Sequence, residues 1–336
     1  MNHCGIDLAS KSSAICIMNV AGEISDEFEI PTDEDGIRTR LGKLSAMRCV
    51  IEASPLAEWT AREVERYGHE AVIIDPRRAK AVLCTKKKTD QINARDLAQM
   101  GRTGWYTEVH RKSEQARLMR TYLGAHEGLK ETSKAQNARI RGLLRAHGIK
   151  AGKLSEKEFD WRIRELCKAR APFLKEILEP LLKLWRQAVD EAKALKKRIE
   201  ALAKKDPLCQ LLMSAPGVGP MTASAYVATI DDPHRFARSD QVGAYVGLVP
   251  RIYQSGDISY LGRITKEGDR LLRWLLIEAA HCLLSNTKRK CALKQWGLRI
   301  QAKKGTGKAK VAVARKLAVI LHRMWINGEK FNWQRT

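Results

Sequence analysis

The sequence predicts a mixed α/β domain followed by a long, mostly helical remainder. Three observations predict it. Within residues 1–80, short apolar runs that close on acids alternate with helical stretches. Between Lys112 and Lys204, apolar residues recur at gaps of four and three, as in a coiled coil. Beyond Asp206, two apolar helical runs are split by a Pro-Gly-Val-Gly turn.

Composition narrows the partners. The chain has 336 residues and 44% of them are hydrophobic, enough for a real core. Its formal net charge is +23, which argues for a polyanion, most simply nucleic acid. A membrane surface is the weaker alternative, since no apolar run approaches the roughly 20 residues of a span. The N-terminus lacks the order of a signal peptide. The eight cysteines show no Cys-x-x-Cys or zinc-finger spacing, so reduced thiols in the cytoplasm are expected.

In chain order, His3–Leu8, Ala14–Asn19, Glu27–Ile30, Arg48–Glu52 and Glu70–Asp75 read as five strands. Helices are expected near Asp33–Leu44 and Leu56–Tyr67. Asp7 and Glu52 stand at strand ends, where ligands bind open sheets. This order looks like an RNase H-like fold, whose acids converge on divalent metal. Each acid read singly is a cap or a turn.

The stretch Lys86–Met100 opens a later helix. Thr89 is the expected N-cap, and Asp90 suits the positive end of the helix dipole. Asp90 and Asn93 project from nearly one face, whereas Asp96 is turned roughly 120° away. A carboxylate and an amide beside three lysines suit a hard metal ion and a phosphate. Taken alone, the stretch reads as an N-capped surface helix.

The helical middle carries a seam of Leu174, Leu178, Leu181, Trp185, Ala188, Ala192, Leu195, Ile199 and Leu202. Pro180 is expected to kink or restart that helix. A helical hairpin, a dimerising coiled coil and an intramolecular bundle all satisfy the pattern. The basic face around Arg139, Arg141 and Arg145 is either solvated or laid on a nucleic-acid backbone.

Around Pro216-Gly-Val-Gly-Pro220, one helix ends at Ser214 and another begins at Pro220. This is similar to a helix-hairpin-helix, in which Gly217 and Gly219 offer bare backbone N–H groups to a DNA phosphate. An ordinary helical hairpin is the bland reading. Ser255 precedes Gly256 and is flanked in sequence by Arg251, Arg263, Lys266, Arg270 and Arg273, with a helix expected from Lys266. A serine attacking a phosphodiester needs such cations, but Ser-Gly is also a plain turn. Ser239, read as an N-cap, and Ser259, read as a strand residue, are the competing hydroxyls. Lys303, Lys304 and Lys308 read as a flexible basic loop touching nucleic acid. The loop is not a P-loop, because Ala302 stands where the first glycine belongs.

Taken together, Gly5-Ile-Asp7, Ile51-Glu52-Ala53, Lys88-Thr-Asp90-x-x-x-Ala-Arg95, Gly101-x-x-Gly-Trp-Tyr106, Pro216-Gly-Val-Gly-Pro220 and Gly247-Leu-Val-Pro250 with Gln254-Ser-Gly256 resemble insertion-sequence transposases of the IS-one-ten type. These are DEDD transposases, or bridge-RNA-guided recombinases. The resemblance implies three parts: a RuvC-like metal-binding domain over 1–112, a coiled-coil region over 113–205, and a C-terminal transposase domain over 206–336. It also implies Mg2+ on Asp7, Glu52, Asp90 and position 93, with Ser255 as nucleophile. Implied partners are target and donor double-stranded DNA, a structured guide RNA and further copies of the chain in a dimer or tetramer. The family pattern has aspartate at 93, where this chain has Asn93. An amide oxygen still ligates magnesium, with one negative charge lost.

The leading expectation is therefore a bacterial, cytoplasmic site-specific DNA recombinase that works through a phosphoserine. A metal-dependent junction nuclease that activates water is the alternative. A non-catalytic nucleic-acid scaffold, its metal site spoiled at Asn93, is a third.

Overall fold

The computed structural model describes residues 1–75, 89–255 and 258–334. Lys86–Lys88, Gly256 and the side chain of Ser255 lie outside the described residues. The chain divides into two compact units, Met1–Lys112 and Ser113–Thr336.

The first unit is a five-stranded sheet with helices on both faces. Its strands are β1 (His3–Leu8), β2 (Ser12–Met18), β3 (Ile24–Pro31), β4 (Arg48–Glu52) and β5 (Glu70–Ile74), in spatial order β3-β2-β1-β4-β5. β1, β2 and β3 pair antiparallel, whereas β4 pairs parallel to both β1 and β5. The parallel links need crossovers, and α2 (Ala57–Arg66) supplies the one between β4 and β5.

Alternation along the strands assigns the faces. Ile15, Ile17, Cys49, Ile51, Ala71 and Ile73 join Cys4 and Ile6 in one core, under α1 (Glu34–Arg40) and α2. The opposite set, Ala14, Cys16, Met18, Val50, Val72 and Ile74, packs on α3 (Asp90–Thr103) through Ala94, Leu97, Ala98 and Met100.

The second unit is largely helical. α4 (Glu114–Ala146) and α6 (Lys175–Lys205) are long, and α5 (Glu156–Arg170) lies between them in sequence. Leu123 of α4 shares a core with Ile199 and Ala203 near the end of α6. Ile140 and Leu144, at the other end of α4, pack with Leu178, Leu182 and Trp185 near the start of α6. The pair is therefore antiparallel, and the four-three seam is used inside the chain. α6 runs unbroken through Pro180. That proline lies in the second turn, so the helix continues after losing one N–H donor rather than restarting there.

The remainder is α7 (Pro207–Met213), α8 (Pro220–Ile230), α9 (Gln241–Tyr245), a ribbon of β6 (Pro250–Ser255) and β7 (Ile258–Ile264), then α10 (Arg270–Ser285), α11 (Ala292–Lys304) and α12 (Thr306–Asn327). Their core centres on the fully buried Tyr226, whose hydroxyl donates to Ala318 O at 2.7 Å. His322 is also fully buried. Its Nε2 must donate to Pro233 O, a pure acceptor, at 2.9 Å. Nδ1 is then free to accept from the Ser239 hydroxyl at 2.9 Å. Ser239 thus anchors α12, where an N-cap was expected; Asp240 takes the cap position of α9.

No described helix is long and apolar enough to cross a membrane.

Candidate active site

Two acids leave the sheet on the α3 side. Cys4 and Ile6 face α1 and α2, so by alternation Gly5 and Asp7 face α3. On β4, Val50 faces α3, so Glu52 does too. β1 and β4 run parallel with Ile6 opposite Ile51. Asp7 and Glu52 therefore follow the last pair on neighbouring strands, at carboxyl ends about 4.8 Å apart in the pairing direction.

Helix α3 brings the rest. Thr89 caps it, its hydroxyl accepting from Ile92 N at 3.3 Å, and Asp90 occupies the first turn. What seats the helix is Gly5. A Cβ there would stand 1.9 Å from Ala94 O and 2.5 Å from Ala98 N. Only a bare backbone lets α3 settle so deeply on β1. Gly101 does the same at the far end, where a Cβ would meet Val50 Cγ2 at 2.8 Å. In the sequence Gly5 is part of a motif; its seating of α3 follows from contacts with Ala94 and Ala98, far along the chain.

With the helix seated, Asn93 Nδ2 donates to Asp7 Oδ2 at 3.0 Å. Burial pushes the Asp7 carboxyl up from its ordinary range, the Asn93 hydrogen bond opposes that, and the negative charge of Asp90 adds to the rise. Asp7, Asp90 and Asn93 are thus brought together. Asp96 points elsewhere on the helix, and burial alone raises its carboxyl. Arg95 forks onto Glu27 of β3, with Nη2 to Oε2 at 2.6 Å, and ties α3 to the sheet edge.

The expected three-acid cluster is not closed. Among the described residues, no three of His, Cys, Asp and Glu stand together so as to hold a metal ion. The amide at position 93 accounts for part of this, since it occupies the Asp7 oxygen that a cation would share. The donor set still suits a hard cation: oxygen ligands on two strand ends and a helix start, with one carboxylate held against its charge.

The serine lies on the ribbon. β6 and β7 pair from Pro250 opposite Ile264 out to Ser255 opposite Ile258. The cations that flank Ser255 in sequence sit at the other end. Arg251 donates to Thr265 O at 3.2 Å, and Lys266 turns the chain with φ 60. Arg263 lies one residue before the end of β7 at Ile264, and Arg270 opens α10. Arg273 is buried, its Nη1 donating to Val246 O at 3.1 Å and Glu267 O at 2.6 Å. The expected cationic ring therefore gathers at the ribbon's base. At about 3.3 Å per residue, Ser255 stands some 13 Å from Arg251 along the strand. The helix expected from Lys266 starts later, because Lys266 and Gly268 are both left-handed and Asp269 is the cap. Ser259 is a β7 residue opposite Gln254, as expected.

Gly217 and Gly219 differ. A Cβ at Gly217 would meet Ala279 O of α10 at 2.2 Å, so this glycine is there for internal packing. Gly219 has open space and precedes α8 without a side-chain cap. The flexible basic loop is overturned: Lys303 and Lys304 end α11, Gly305 turns at φ 82, and Lys308 lies in the first turn of α12. One glycine in the left-handed region breaks an otherwise helix-favouring lysine-alanine stretch.

Comparison with known proteins decides the family. Residues 209–296 match the family described as transposase IS116/IS110/IS902, and residues 4–149 match a DEDD transposase family of the IS110 type. The chain belongs to the IS110 family of insertion-sequence transposases. It is 27% identical to the transposase for insertion sequence element IS1111A of Coxiella burnetii, over 94% of this chain and 87% of that protein. It is 30% identical to a putative transposase of Sinorhizobium fredii, over 84% and 73%. It is 28% identical to a probable family 20 transposase of Pseudomonas aeruginosa, over 85% and 86%. As an IS110-family transposase, the protein cuts and rejoins DNA. DEDD transposases typically use divalent metal ions.

Proposed function

We propose that this transposase is a magnesium-assisted, site-specific recombinase that joins DNA to Ser255 during strand exchange. The observation that carries the reading is the meeting of Asp7, Asp90 and Asn93 beside the strand end that bears Glu52. The strand order β3-β2-β1-β4-β5 supports an RNase H-like, RuvC-like sheet over 1–112. The coiled-coil part is 113–205 and the serine-bearing part 206–336.

Asp7, Glu52 and Asp90 would hold the ion, with the Asn93 oxygen as fourth donor. A divalent cation there supplies charge neutralisation at a scissile phosphate. Ser255 Oγ attacks phosphorus, and the bond from phosphorus to a deoxyribose oxygen breaks. The serine proton passes to solvent, and the departing oxygen takes one up. A hydroxyl of the incoming strand reverses the attack and restores a phosphodiester. The number of phosphoester bonds is unchanged, so no ATP is needed.

The ribbon base holds its arginines away from Ser255, which fits a serine completed by groups from another copy in a dimer or tetramer. The cationic second unit suits target and donor DNA and a structured guide RNA; Gly219, at an uncapped helix start, remains the better phosphate contact of the two hairpin glycines.

Denaturing gels of the reaction on labelled DNA test the reading. A protein-linked strand should form with the native chain and vanish in Ser255→Ala. An adduct that survives Ser255→Ala overturns it, and free phosphate ends without an adduct select a water-activating junction nuclease. The amide at 93 favours one competing reading, a non-catalytic scaffold. Asn93→Asp should tighten magnesium binding and raise strand exchange; calorimetry showing no magnesium uptake by either protein selects the scaffold.

A further inference from the structure

At the end of α12 the chain turns back on itself. Gly328 caps the helix in the left-handed conformation, φ 67. The returning segment is fastened twice. Phe331 N donates to Ser214 Oγ at 2.9 Å, and the Arg289 guanidinium lies 4.4 Å from the centre of the Trp333 ring. Between α11, α12 and this segment lies an open cavity of about 480 Å³. That volume falls within the range of small-ligand sites.

Its walls combine two chemistries. Trp296 and Phe331 supply aromatic surface, and Arg299, Lys316, Arg323 and Lys330 supply four positive charges. Among the described lining residues, Glu329 is the one acid. Among the described residues, none of the four cations has an ion-pair or hydrogen-bond partner. Some arginines elsewhere are neutralised: Arg111 holds Glu58 and Glu65, and Arg164 holds Asp160 and Glu179. Four cations set against one acid in a single hollow repel each other, and a bound anion relieves that repulsion. Aromatic surface beside phosphate-seeking cations matches a nucleotide.

We infer that this hollow seats one unpaired nucleotide of a DNA or RNA strand, its base against Trp296 and its flanking phosphates on Arg299, Lys316, Arg323 and Lys330. A single monophosphate would leave most of the four cations unused, whereas a strand brings a phosphate on either side of the base. A duplex cannot enter a concavity of this size with its bases stacked, so the nucleotide must be single-stranded, bulged or flipped. The site depends on neither the acids nor Ser255, and its test reads binding alone.

The test is anisotropy of the full chain with fluorescein-labelled oligothymidylate of roughly 16 nucleotides and with a duplex of equal length. Arg299→Glu/Arg323→Glu reverses two exposed charges that have no partner among the described residues, so the fold survives, as melting curves will verify. The oligothymidylate should then bind at least about tenfold more weakly, with its log K against log salt slope reduced by about 1.4. The duplex should change by less than about threefold. Trp296→Ala should weaken the single strand by roughly 5- to 150-fold, as loss of one stacked base does, without altering the salt slope. Should Trp296→Ala unfold, the charge-reversed protein alone decides. Unchanged affinity for the single strand overturns the inference. So does equal weakening for strand and duplex, the mark of a diffuse field. Thymidine 5′-monophosphate that competes as strongly as the oligomer also overturns it, assigning the hollow to a free nucleotide.

Discussion

The two compact units handle charge in opposite ways. Residues 1–112 hold 17 Lys and Arg against 17 Asp and Glu, and are formally neutral. Residues 113–336 hold 44 against 21, and so carry the whole excess of +23. The first unit arranges a few charges by close packing: a bare glycine lets a helix sink, and the helix delivers Asp90 and Asn93 to Asp7. The second spreads many charges over helices, and several of them have no partner among the described residues. A site for a small hard ion needs the former, and a surface for a polyanion needs the latter.

If that division is right, salt should act through the second unit. DNA affinity should fall steeply with salt, by about a thousandfold or more between 50 and 200 mM if some six phosphates are contacted. Lys303→Glu/Lys304→Glu/Lys308→Glu should weaken binding about equally across DNA sequences and flatten that slope, read by anisotropy. An unchanged slope breaks the comparison.

Packing should matter most in the first unit. Gly5→Val drives a side chain into the α3 backbone and should cost at least about 1–3 kcal/mol in denaturant melts. Gly124→Ala is the counterpart in α4, where a Cβ meets nothing within 4 Å. It should stabilise by about 0.5–1 kcal/mol. Equal effects at the two glycines would remove the distinction.

The second unit has one place that resembles the first. Arg273→Ala should leave Val246 O and Glu267 O without their donor and cost about 1–3 kcal/mol. Hydrogen exchange should rise along β6 and β7, and not in α11 or α12. Exchange that rises evenly would show that the clamp does not hold the ribbon.

The smallest effect concerns pH, and it has two signs. Arg95 holds Glu27 below its usual range. That stability is present above the ordinary glutamate range and is lost as pH falls through the Glu27 titration. Arg95→Ala should therefore lower the melting temperature slightly near neutrality and leave it unchanged in strong acid. Asp7 works the other way, because its carboxyl is raised. The folded state holds the Asp7 proton more tightly than the unfolded chain, so its contribution weakens as pH climbs from the ordinary aspartate range through the folded value. Asp7→Asn should flatten that part of the stability profile.

Much of the fold could be read from the residues. Arg48–Glu52 and the start of α8 at Pro220 match the sequence reading, because short apolar runs with clear stops have few alternatives. The four-three seam gave the helices, but a periodic stripe does not say which surface covers it; here α4, α5 and α8 share it. The ribbon exposed the limit of linear reading. Arg251, Arg263, Lys266, Arg270 and Arg273 flank Ser255 in sequence, yet an extended strand carries its end away from its base. The lysine-rich 303–310 stretch misled for another reason: helix-forming lysines and alanines outweighed the glycines. Gly5 beside Ala94 depends on contacts 89 residues apart, which no local pattern encodes.

The ribbon has a consequence for how such proteins diversify. Ile252, Ile258 and Leu261 remain more than 65% exposed, and Tyr253 stacks on Tyr260 across the pair. An isolated two-stranded hairpin is marginal by itself, so its order is borrowed from the Arg273 clamp and from Gly247 and Gly268, which nest against Glu267 and Tyr245. The outer half of the arm can therefore be lengthened, shortened or rewritten with little strain on the helices beneath. It is an exchangeable bit in a fixed chuck, and drift among relatives should concentrate there while the chuck stays constant.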